Sequence, residues 1–521
     1  MHDILVSQRR WDRMEQHRVA QTFVNLMAQA FQQLVQENES LRYIEAVPCF
    51  DKIADHVKKQ ISLAQTASDL LSTITQLISE MHGQTETQCA ISYAKAISLC
   101  MDQKISYYPF STQLYENGQI SLHPLIPIWS DKKPVSIMSL NNNSKETGIC
   151  IAPKFPVTIG TVGASGKSRS LSSRNALYGI NGDLLHVTYY LCGADYPKVH
   201  HIILPERRDS DTGVPDRTRV AFSPLTDRND LIKQSDINIV AIDDIQCHAA
   251  LVGEIENPDY IENRFSDIWL SACEKNVDVF FAPEMLATRR MVQVENGGSV
   301  FLKPLLKKAL TVGGIPPRLT IMPSYWKDGL NRLLIFDETG AHLGTQLKYS
   351  PYADRRAGII EALKPHSQEN LLILHLINQQ RIAFAICADF LFPQARSYVD
   401  SFICEQVGAT LVIVPSYSHG EQDFINHIAR LRPYGTSVIW GNCCGAVHNE
   451  ECQIARIIGA CSYAGIDEVS RFGSIINCEF HCGYFKTCLF ILDIPTSIQL
   501  EKPTSAVAPI VSHFCSAEFT D

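Results

Sequence analysis

The sequence predicts an α/β layered domain in the C-terminal half, preceded by a helical region and then a mixed α/β region. Three observations carry this. Apolar residues near the N-terminus recur at three- and four-residue intervals, the rhythm of a helix face. The middle of the chain breaks into short apolar runs between stretches rich in Ser, Asn, Asp and Arg. From about Asp236 onward, apolar strands alternate with amphipathic helices. At 521 residues the chain exceeds what one core serves, so several domains are expected. The boundaries drawn are 1–104 (helical), 105–235 (mixed α/β and linker), 236–500 (layered α/β domain) and 501–521 (tail).

In chain order, Val19, Phe23, Leu26, Met27, Ala30, Phe31, Leu34 and Val35 form one apolar stripe. A second helical segment runs from about Asp51 to Met81, with Ile53, Val57, Ile61, Leu70, Leu71, Ile74, Leu77, Ile78 and Met81 as buried positions, and a third spans about Gln88 to Gln103. These helices read as a packing module or, because helix faces serve both purposes, as a surface for a protein partner. Ser136 to Leu140 and Leu185 to Leu191 read as strands between turn-rich stretches, and Glu206 to Asp236 as the linker. Beyond it, Ile237 to Ile242 reads as a strand, Tyr260 to Cys273 as a helix, and Val277 to Phe281 as a strand ending at Pro283-Glu284. Leu319 to Met322, Leu333 to Phe336, Leu371 to Ile377, Ile382 to Ile386, Leu411 to Val414, Ser437 to Trp440 and Cys488 to Leu492 supply enough further strands for a two-sheet sandwich.

Composition narrows the function classes. A formal charge of −9 gives no reason to expect nucleic acid as the main ligand. Met1 to Arg10 holds no apolar core of a secretory signal, and no run approaches the roughly 18 apolar residues of a spanning helix, so a cytoplasmic protein without membrane insertion is expected. The 17 cysteines lack the regular spacing of a disulfide scaffold, so reduced thiols are expected. Cys443, Cys444, His448 and Cys452, or Cys478, His481, Cys482 and Cys488, contain zinc-ligand types without paired CxxC spacing, and no metal or cofactor is expected. Gly163 to Ser168 ends in a GKS tripeptide, but a phosphate-binding loop needs glycine where Thr161 stands, so nucleotide binding is not expected there.

The chemistry-bearing residues lie in the C-terminal half. In Arg381-Ile-Ala-Phe-Ala-Ile-Cys387-Ala-Asp389, an apolar strand delivers a cysteine to a turn before a helix. Such a turn exposes sulfur and directs main-chain amides at an oxyanion. A cysteine nucleophile needs a base and a charge stabiliser. Glu284 ends a strand in Phe281-Ala-Pro-Glu, and Lys348 follows a strand pair in Gly344-Thr-Gln-Leu-Lys. Taken singly, each has an ordinary structural explanation: a packed cysteine, a helix-start carboxylate, a solvated lysine.

Together they resemble the nitrilase superfamily of carbon-nitrogen hydrolases, which uses Glu, Lys and Cys in this chain order, with the glutamate after a proline at a strand end and the cysteine in C-x-D-x-x-F-P. Cys387, Asp389, Phe392 and Pro393 match that motif, and the separations of 64 and 39 residues are similar to the family's. Asp337-Glu-Thr-Gly340, Gly408-Ala409 before a strand ending at Pro415-Ser416, and Arg430 twelve residues before Asn442 extend the likeness, which covers about Asp236 to Ile494. Two departures stand out: Leu347 where the family commonly has Arg before the lysine, and Pro433 where it commonly has a glutamate after the arginine.

The resemblance implies a nitrilase-like α-β-β-α sandwich and a cysteine-dependent hydrolase acting on an amide or nitrile through a thioester. Glu284 would be the general base, Cys387 the nucleophile, and Lys348 with the N–H of Ala388 the oxyanion donors. Many family members carry a second pocket glutamate after the lysine; Glu361 is the nearest downstream glutamate and Asp354 the nearest acid, and spacing alone does not choose between them. Tyr349 and Asp389 are further pocket candidates. A homodimer or larger assembly is implied, with Pro433 counting against carrying over the family's helix packing. An N-acyltransferase using the same site, or a nitrilase-fold binding, sensing or scaffold protein whose N-terminal half recruits a partner, are the alternatives.

Overall fold

The computed structural model describes residues 26, 29–30, 50–64, 67–105, 136–137, 148–153, 187–192, 197–204, 217–226, 232–242, 245–354, 359–361, 363–364, 370–376, 380–391, 399, 402–404, 407–431, 436–447, 456–462, 475–478, 488–495 and 511–515. They fall into two units. The first comprises Met1–Gly213, Leu374–Arg381 and Phe402–Ala409, and the second Val214–Ile373, Ile382–Ser401 and Thr410–Asp521.

In the first unit, helices α1 (Phe50–Leu63), α2 (Ala67–His82) and α3 (Thr87–Ile105) pack on one another. Val57, Ile61, Ile74, Leu77, Met81, Ile91, Ala94, Ile97 and Met101 are buried. The single helical segment read over Asp51 to Met81 is two helices. The break falls in the gap between Ile61 and Leu70, where the apolar rhythm lapses and Leu63 is 64% exposed. Strands β1 (Ser136–Ile137) and β4 (Lys198–Leu204) pair antiparallel, as do β2 (Gly148–Pro153) and β3 (Val187–Cys192). Most of the stripe from Val19 to Val35, and all of Gly163 to Ser168, lie outside the described residues.

The second unit contains two large sheets. One runs in the order β12 (Tyr325–Lys327), β13 (Leu330–Asp337), β11 (Leu319–Ile321), β8 (Val279–Phe281), β5 (Arg217–Phe222), β23 (Cys488–Pro495) and β24 (Val511–Cys515), with β14 (His342–Leu347) also paired to β13. Its centre is parallel, β5 and β11 flanking β8. The other runs β17 (Asn370–Leu376, of which Asn370–Ile373 is in this unit), β18 (Gln380–Phe384, of which Ile382–Phe384 is), β19 (Leu411–Ser416), β20 (Ser437–Asn442), β21 (Arg456–Ser462) and β22 (Ile475–Cys478), with β18, β19 and β20 parallel. Strands β6 (Ile232–Ile242), β7 (Ile245–Ile255), β15 (Ala353–Asp354) and β16 (Ile359–Glu361) form a separate four-stranded sheet, and β9 (Val294–Glu295) pairs with β10 (Gly298–Ser299).

The period-two alternation of strands decides which residues face which layer. On β8, Phe281 and its β5 neighbour Phe222 point at the second sheet, their ring centroids 4.9 Å apart. A Cβ at Gly441 of β20 would lie 2.4 Å from the Phe222 ring, so glycine is what allows the two sheets to approach here. Phe280 points the other way, meeting Phe265 of helix α4 (Pro258–Glu274) edge-on at 5.5 Å. The same helix ties to the sheet where Trp269 Nε1 donates to Thr320 Oγ1 at 2.9 Å. Asn257 caps it by accepting the Tyr260 N–H, and Pro258 opens its first turn, where no helical N–H is required. Helix α5 (Leu302–Thr311) packs beside α4. On the second sheet, Trp440 faces outward and stacks on Phe424 of helix α7 (Gln422–Leu431) at 4.8 Å. Each such fully buried aromatic contributes about 1.5–3 kcal/mol relative to exposure.

Two strands of the first sheet arise where the sequence suggests none. Strand β5 lies inside the stretch read as linker, because only Val220-Ala221-Phe222 is apolar and the charged run before it dominates the reading. It is nevertheless central, with Arg219 Nε donating to Asp493 Oδ1 at 3.0 Å. Strand β24 lies in the stretch read as tail and pairs with β23. The expected first strand, Ile237 to Ile242, belongs to the separate four-stranded sheet as part of β6. Among the described residues, no helix is long and apolar enough to cross a membrane.

Candidate active site

Three chain segments of the second unit deliver the site. After β8, Pro283 has no N–H to continue a ladder, and Glu284 follows with Met285 in the left-handed region at φ 64°. The Met285 N–H is held by Ser324 Oγ at 2.8 Å. Next, the β13–β14 hairpin turns through Asp337 to Gly340. Asp337 Oδ1 accepts the N–H groups of Thr339 and Ala341 at 2.8 and 2.9 Å, and Gly340 takes φ 78°. The hairpin sends β14 back alongside β13, and the Lys348 N–H donates to the Asn331 carbonyl at 3.0 Å.

Third, Cys387 stands between β18 and the short helix α6 (Ala388–Leu391). Its φ of 46° lies in the left-handed region, which a non-glycine residue occupies at a cost. The strain is held by neighbours: the Cys387 N–H donates to Pro415 O at 3.0 Å, and Ser416 Oγ donates to its sulfur at 3.2 Å.

These elements converge on one buried ammonium. Lys348, with no exposed surface, donates from Nζ to Glu284 Oε1 at 2.5 Å and also to Glu361 Oε2. Asn331 Nδ2 donates to Glu284 Oε1 and to Glu361 Oε1, both at 2.8 Å. The Tyr417 N–H reaches Glu284 Oε2 at 3.3 Å, and the Tyr352 N–H reaches Glu361 Oε2 at 3.1 Å. Two carboxylates thus share one lysine in a site closed to bulk water.

Burial acts on the titration of Glu284, Lys348, Cys387 and Asp389. It pushes Glu284 up, opposed by Lys348 and reinforced by Glu361. Burial pulls Lys348 down, but the two carboxylates outweigh it and hold the ammonium well above the ordinary lysine value. Burial and then the Glu284 carboxylate push the Cys387 thiol up, so the resting sulfur keeps its proton. Burial raises Asp389 to about 7 against the pull of Lys348 and of two main-chain amides. A neutral thiol beside a carboxylate and a fixed cation can lose its proton when a bound electrophile takes the developing charge.

Of the residues singled out from sequence, Glu284, Lys348, Glu361 and Cys387 come together. Glu361 contacts Lys348 directly, while the side chain of Asp354 lies outside the described residues. Ala388, next to the sulfur, opens α6, so its N–H has no partner within the helix's own ladder. Asp389 serves the frame: Oδ1 accepts the N–H groups of Tyr349 and Ser350 at 3.0 and 2.6 Å, holding the turn after Lys348. The Tyr349 hydroxyl donates to Asn370 O at 3.0 Å and accepts the Asn370 N–H at 2.6 Å, which is a structural tie. Phe392, Pro393 and Pro433 lie outside the described residues.

Sequence reading missed Asn331, and it named Ser416 only as a strand end, not as a neighbour of Cys387. The signal for the first was an amide side chain beside Arg332 at the start of an apolar run, Leu333 to Phe336; for the second, a serine directly after Pro415 at the end of β19. Among the described residues, no group of three or more His, Cys, Asp or Glu side chains is arranged to hold a metal, and both cysteine–histidine sets extend outside those residues.

No protein-family model and no curated protein matches this sequence. Solved structures of an amidase from Nesterenkonia sp. AN1 are similar to part of it. One, showing Michael addition of acrylamide at the active-site cysteine, is 16% identical, covers 53% of this chain and 93% of its own, and has a TM-score of 0.34. A cysteine-to-serine mutant of that amidase, described as from the nitrilase superfamily, is 15% identical over 55% of this chain and 94% of its own, with a TM-score of 0.34. A third, carrying the acetamide moiety of fluoroacetamide on the active-site cysteine, is 14% identical over 56% of this chain and 97% of its own, with a TM-score of 0.33.

Proposed function

We propose that the second unit is a nitrilase-type carbon-nitrogen hydrolase that cleaves an amide through a thioester on Cys387. The observation that supports this best is the buried cation between two carboxylates, Lys348 with Glu284 and Glu361, beside a cysteine held at positive φ. A structural ion pair needs neither a second carboxylate nor a strained thiol.

In this reading Glu284 takes the Cys387 proton as sulfur attacks the amide carbon. The oxygen that gains charge is met by Lys348 and the Ala388 N–H. Lys348 has a donor to spare: two of an ammonium's three N–H groups go to the glutamates. A well-placed donor of this kind is typically worth about 3–4 kcal/mol in the transition state. Glu284 then passes the proton to the leaving nitrogen, which departs as ammonia or an amine, leaving a thioester. Water, deprotonated by Glu284, attacks the thioester; sulfur leaves and recovers its proton, and the acid is released. Amide is preferred over nitrile because Glu361 and Glu284 present acceptors, and an amide has N–H groups to donate where a nitrile has none.

The test is ammonia release from short amides, ureido acids, glutamine and nitriles by the wild type and by Cys387→Ala, alongside intact mass. Release, or an acyl mass increment mapped to Cys387, in the wild type alone supports the proposal. Equal release by both proteins, or none across the panel with no adduct, overturns it. An adduct discharged to added amine faster than to water would identify the acyltransferase variant of the same chemistry.

A further inference from the structure

We infer that Asn331 is a positioning residue that keeps Glu284 ionised and in register with Glu361; the inference rests on the proposed reaction. The side chain is fully buried and hydrogen-bonds to both glutamates of the site, and its main chain pairs with that of Lys348. Its Nδ2 donates to Glu284 Oε1 and Glu361 Oε1, both at 2.8 Å, and its main-chain carbonyl accepts the Lys348 N–H at 3.0 Å.

The orientation of the side chain follows from its neighbours. An amide oxygen in the place of Nδ2 would face two carboxylate oxygens, acceptor against acceptor. The nitrogen must point at the glutamates, which leaves Oδ1 buried with no hydrogen-bond partner. A polar atom left in that state is a standing cost, which argues that the fork to the carboxylates is what the residue is for.

The hydrogen bond to Glu284 also carries a titration consequence. It favours the charged form of its acceptor and so opposes the burial that pushes Glu284 up. Lys348 is shared between two glutamates, so Glu284 draws on further dipoles: Asn331 Nδ2 and the Tyr417 N–H supply them.

Removing the amide therefore raises the pH at which Glu284 can accept the thiol proton. In Asn331→Ala the acid limb of the kcat/KM–pH profile shifts upward by half a unit or more and kcat falls about tenfold or more, with KM changed less. Asn331→Asp adds a third carboxylate and is inactive at neutral pH, regaining part of its activity under acid, where the new carboxyl can carry a proton and donate. A second readout needs no substrate: the rate of Cys387 alkylation by iodoacetamide against pH, mapped by peptide mass. That rate depends on Glu284 as base, and its profile shifts in the same direction in Asn331→Ala.

If the wild type turns over no amide while the alkylation profile still shifts, the reaction is wrong and the positioning role stands. If Asn331→Ala folds with unmoved profiles in both assays, or loses activity uniformly at all pH values, the role is refuted. Thermal unfolding of each variant separates these outcomes from simple failure to fold.

Discussion

Asp389 Oδ1 accepts the main-chain N–H of Ser350 at 2.6 Å, and this bond joins the cysteine segment to the lysine segment of the site. The same oxygen takes the Tyr349 N–H at 3.0 Å, so one carboxylate two residues after Cys387 fixes the main chain immediately after Lys348. Asp389→Ala leaves two amides without that acceptor, at about 1–3 kcal/mol for each that stays buried. The expected outcome is a drop of several degrees in the unfolding temperature and a loss of amide turnover of about a hundredfold, the cost of misplacing a catalytic group by about an ångström. Asp389→Asn retains one oxygen and falls between. Wild-type turnover in Asp389→Ala would show that the lysine is placed by other contacts.

Removing the shared cation tests the charge balance. Lys348→Met leaves Glu284 and Glu361 facing each other in the interior, a change of the kind that costs about 3–5 kcal/mol. The sign of its pH dependence follows from linkage. Burial already raises Glu284, and Lys348 is the first force opposing it, so without the lysine the folded-state pKa rises further above the unfolded value. The folded variant then binds more protons than the unfolded chain, and its stability declines as pH rises through that window. Lys348→Met is thus expected to approach wild-type stability at about pH 5 and to fall furthest behind at pH 8. Denaturant unfolding at the two pH values measures this; a constant difference would mean that Lys348 does not hold the Glu284 carboxyl down.

The parts of this arrangement legible in the sequence are those with local signatures. Glu284 follows a proline at a strand end, Cys387 ends an apolar run before Ala388-Asp389, and Asp337 to Gly340 has turn chemistry. The contacts of Asn331 and Ser416 were not legible, because their partners are 47 and 29 residues away in the chain. Glu361 and Asp354 were indistinguishable for a related reason: distance along the chain from Lys348 carries no information about which side chain meets its ammonium. Strand β5 was hidden by composition. Its buried centrality depends on β8 and β23 on either side, and no local pattern in Arg217 to Phe222 carries that information.

The backbone strain at Cys387 predicts a conflict between stability and the proposed chemistry. At φ 46° Cys387 bears a Cβ in a region that glycine enters freely. Cys387→Ala keeps the strain and loses the thiol, whereas Cys387→Gly loses both. The glycine variant is expected to be inactive yet more stable than the alanine variant by up to about 1 kcal/mol, the left-handed penalty less the extra entropy of an unfolded glycine. Comparing the two alone isolates the backbone term, since neither can attack a substrate. A glycine variant less stable than alanine would mean that the Pro415 and Ser416 contacts are compatible with a relaxed backbone.

A last prediction concerns the first unit. His201 Nδ1 and His375 Nε2 lie 2.9 Å apart, with the Tyr190 hydroxyl 3.1 Å from His201 Nε2. One proton is shared across the imidazole pair, so at least one ring is neutral. Burial lowers His201 to about 3, and burial with the facing ring lowers His375 well below its ordinary value; Arg381 adds to both. In the unfolded chain both titrate near 6.5. Between that pH and the depressed folded values the unfolded state binds more protons, so stability is lost as pH falls, by up to about 1.4 kcal/mol per pH unit for each ring. Replacing either with glutamine keeps hydrogen-bonding capacity and removes the titration. Because a chain of two units need not unfold in one step, the measurement is hydrogen exchange in peptides covering Val187 to Leu204, from pH 7 to 4.5, corrected for intrinsic rates. Protection should decline with acid in the wild type and decline less in His201→Gln and His375→Gln. Parallel declines in all three proteins would place the acid sensitivity elsewhere and leave the histidine pair as packing.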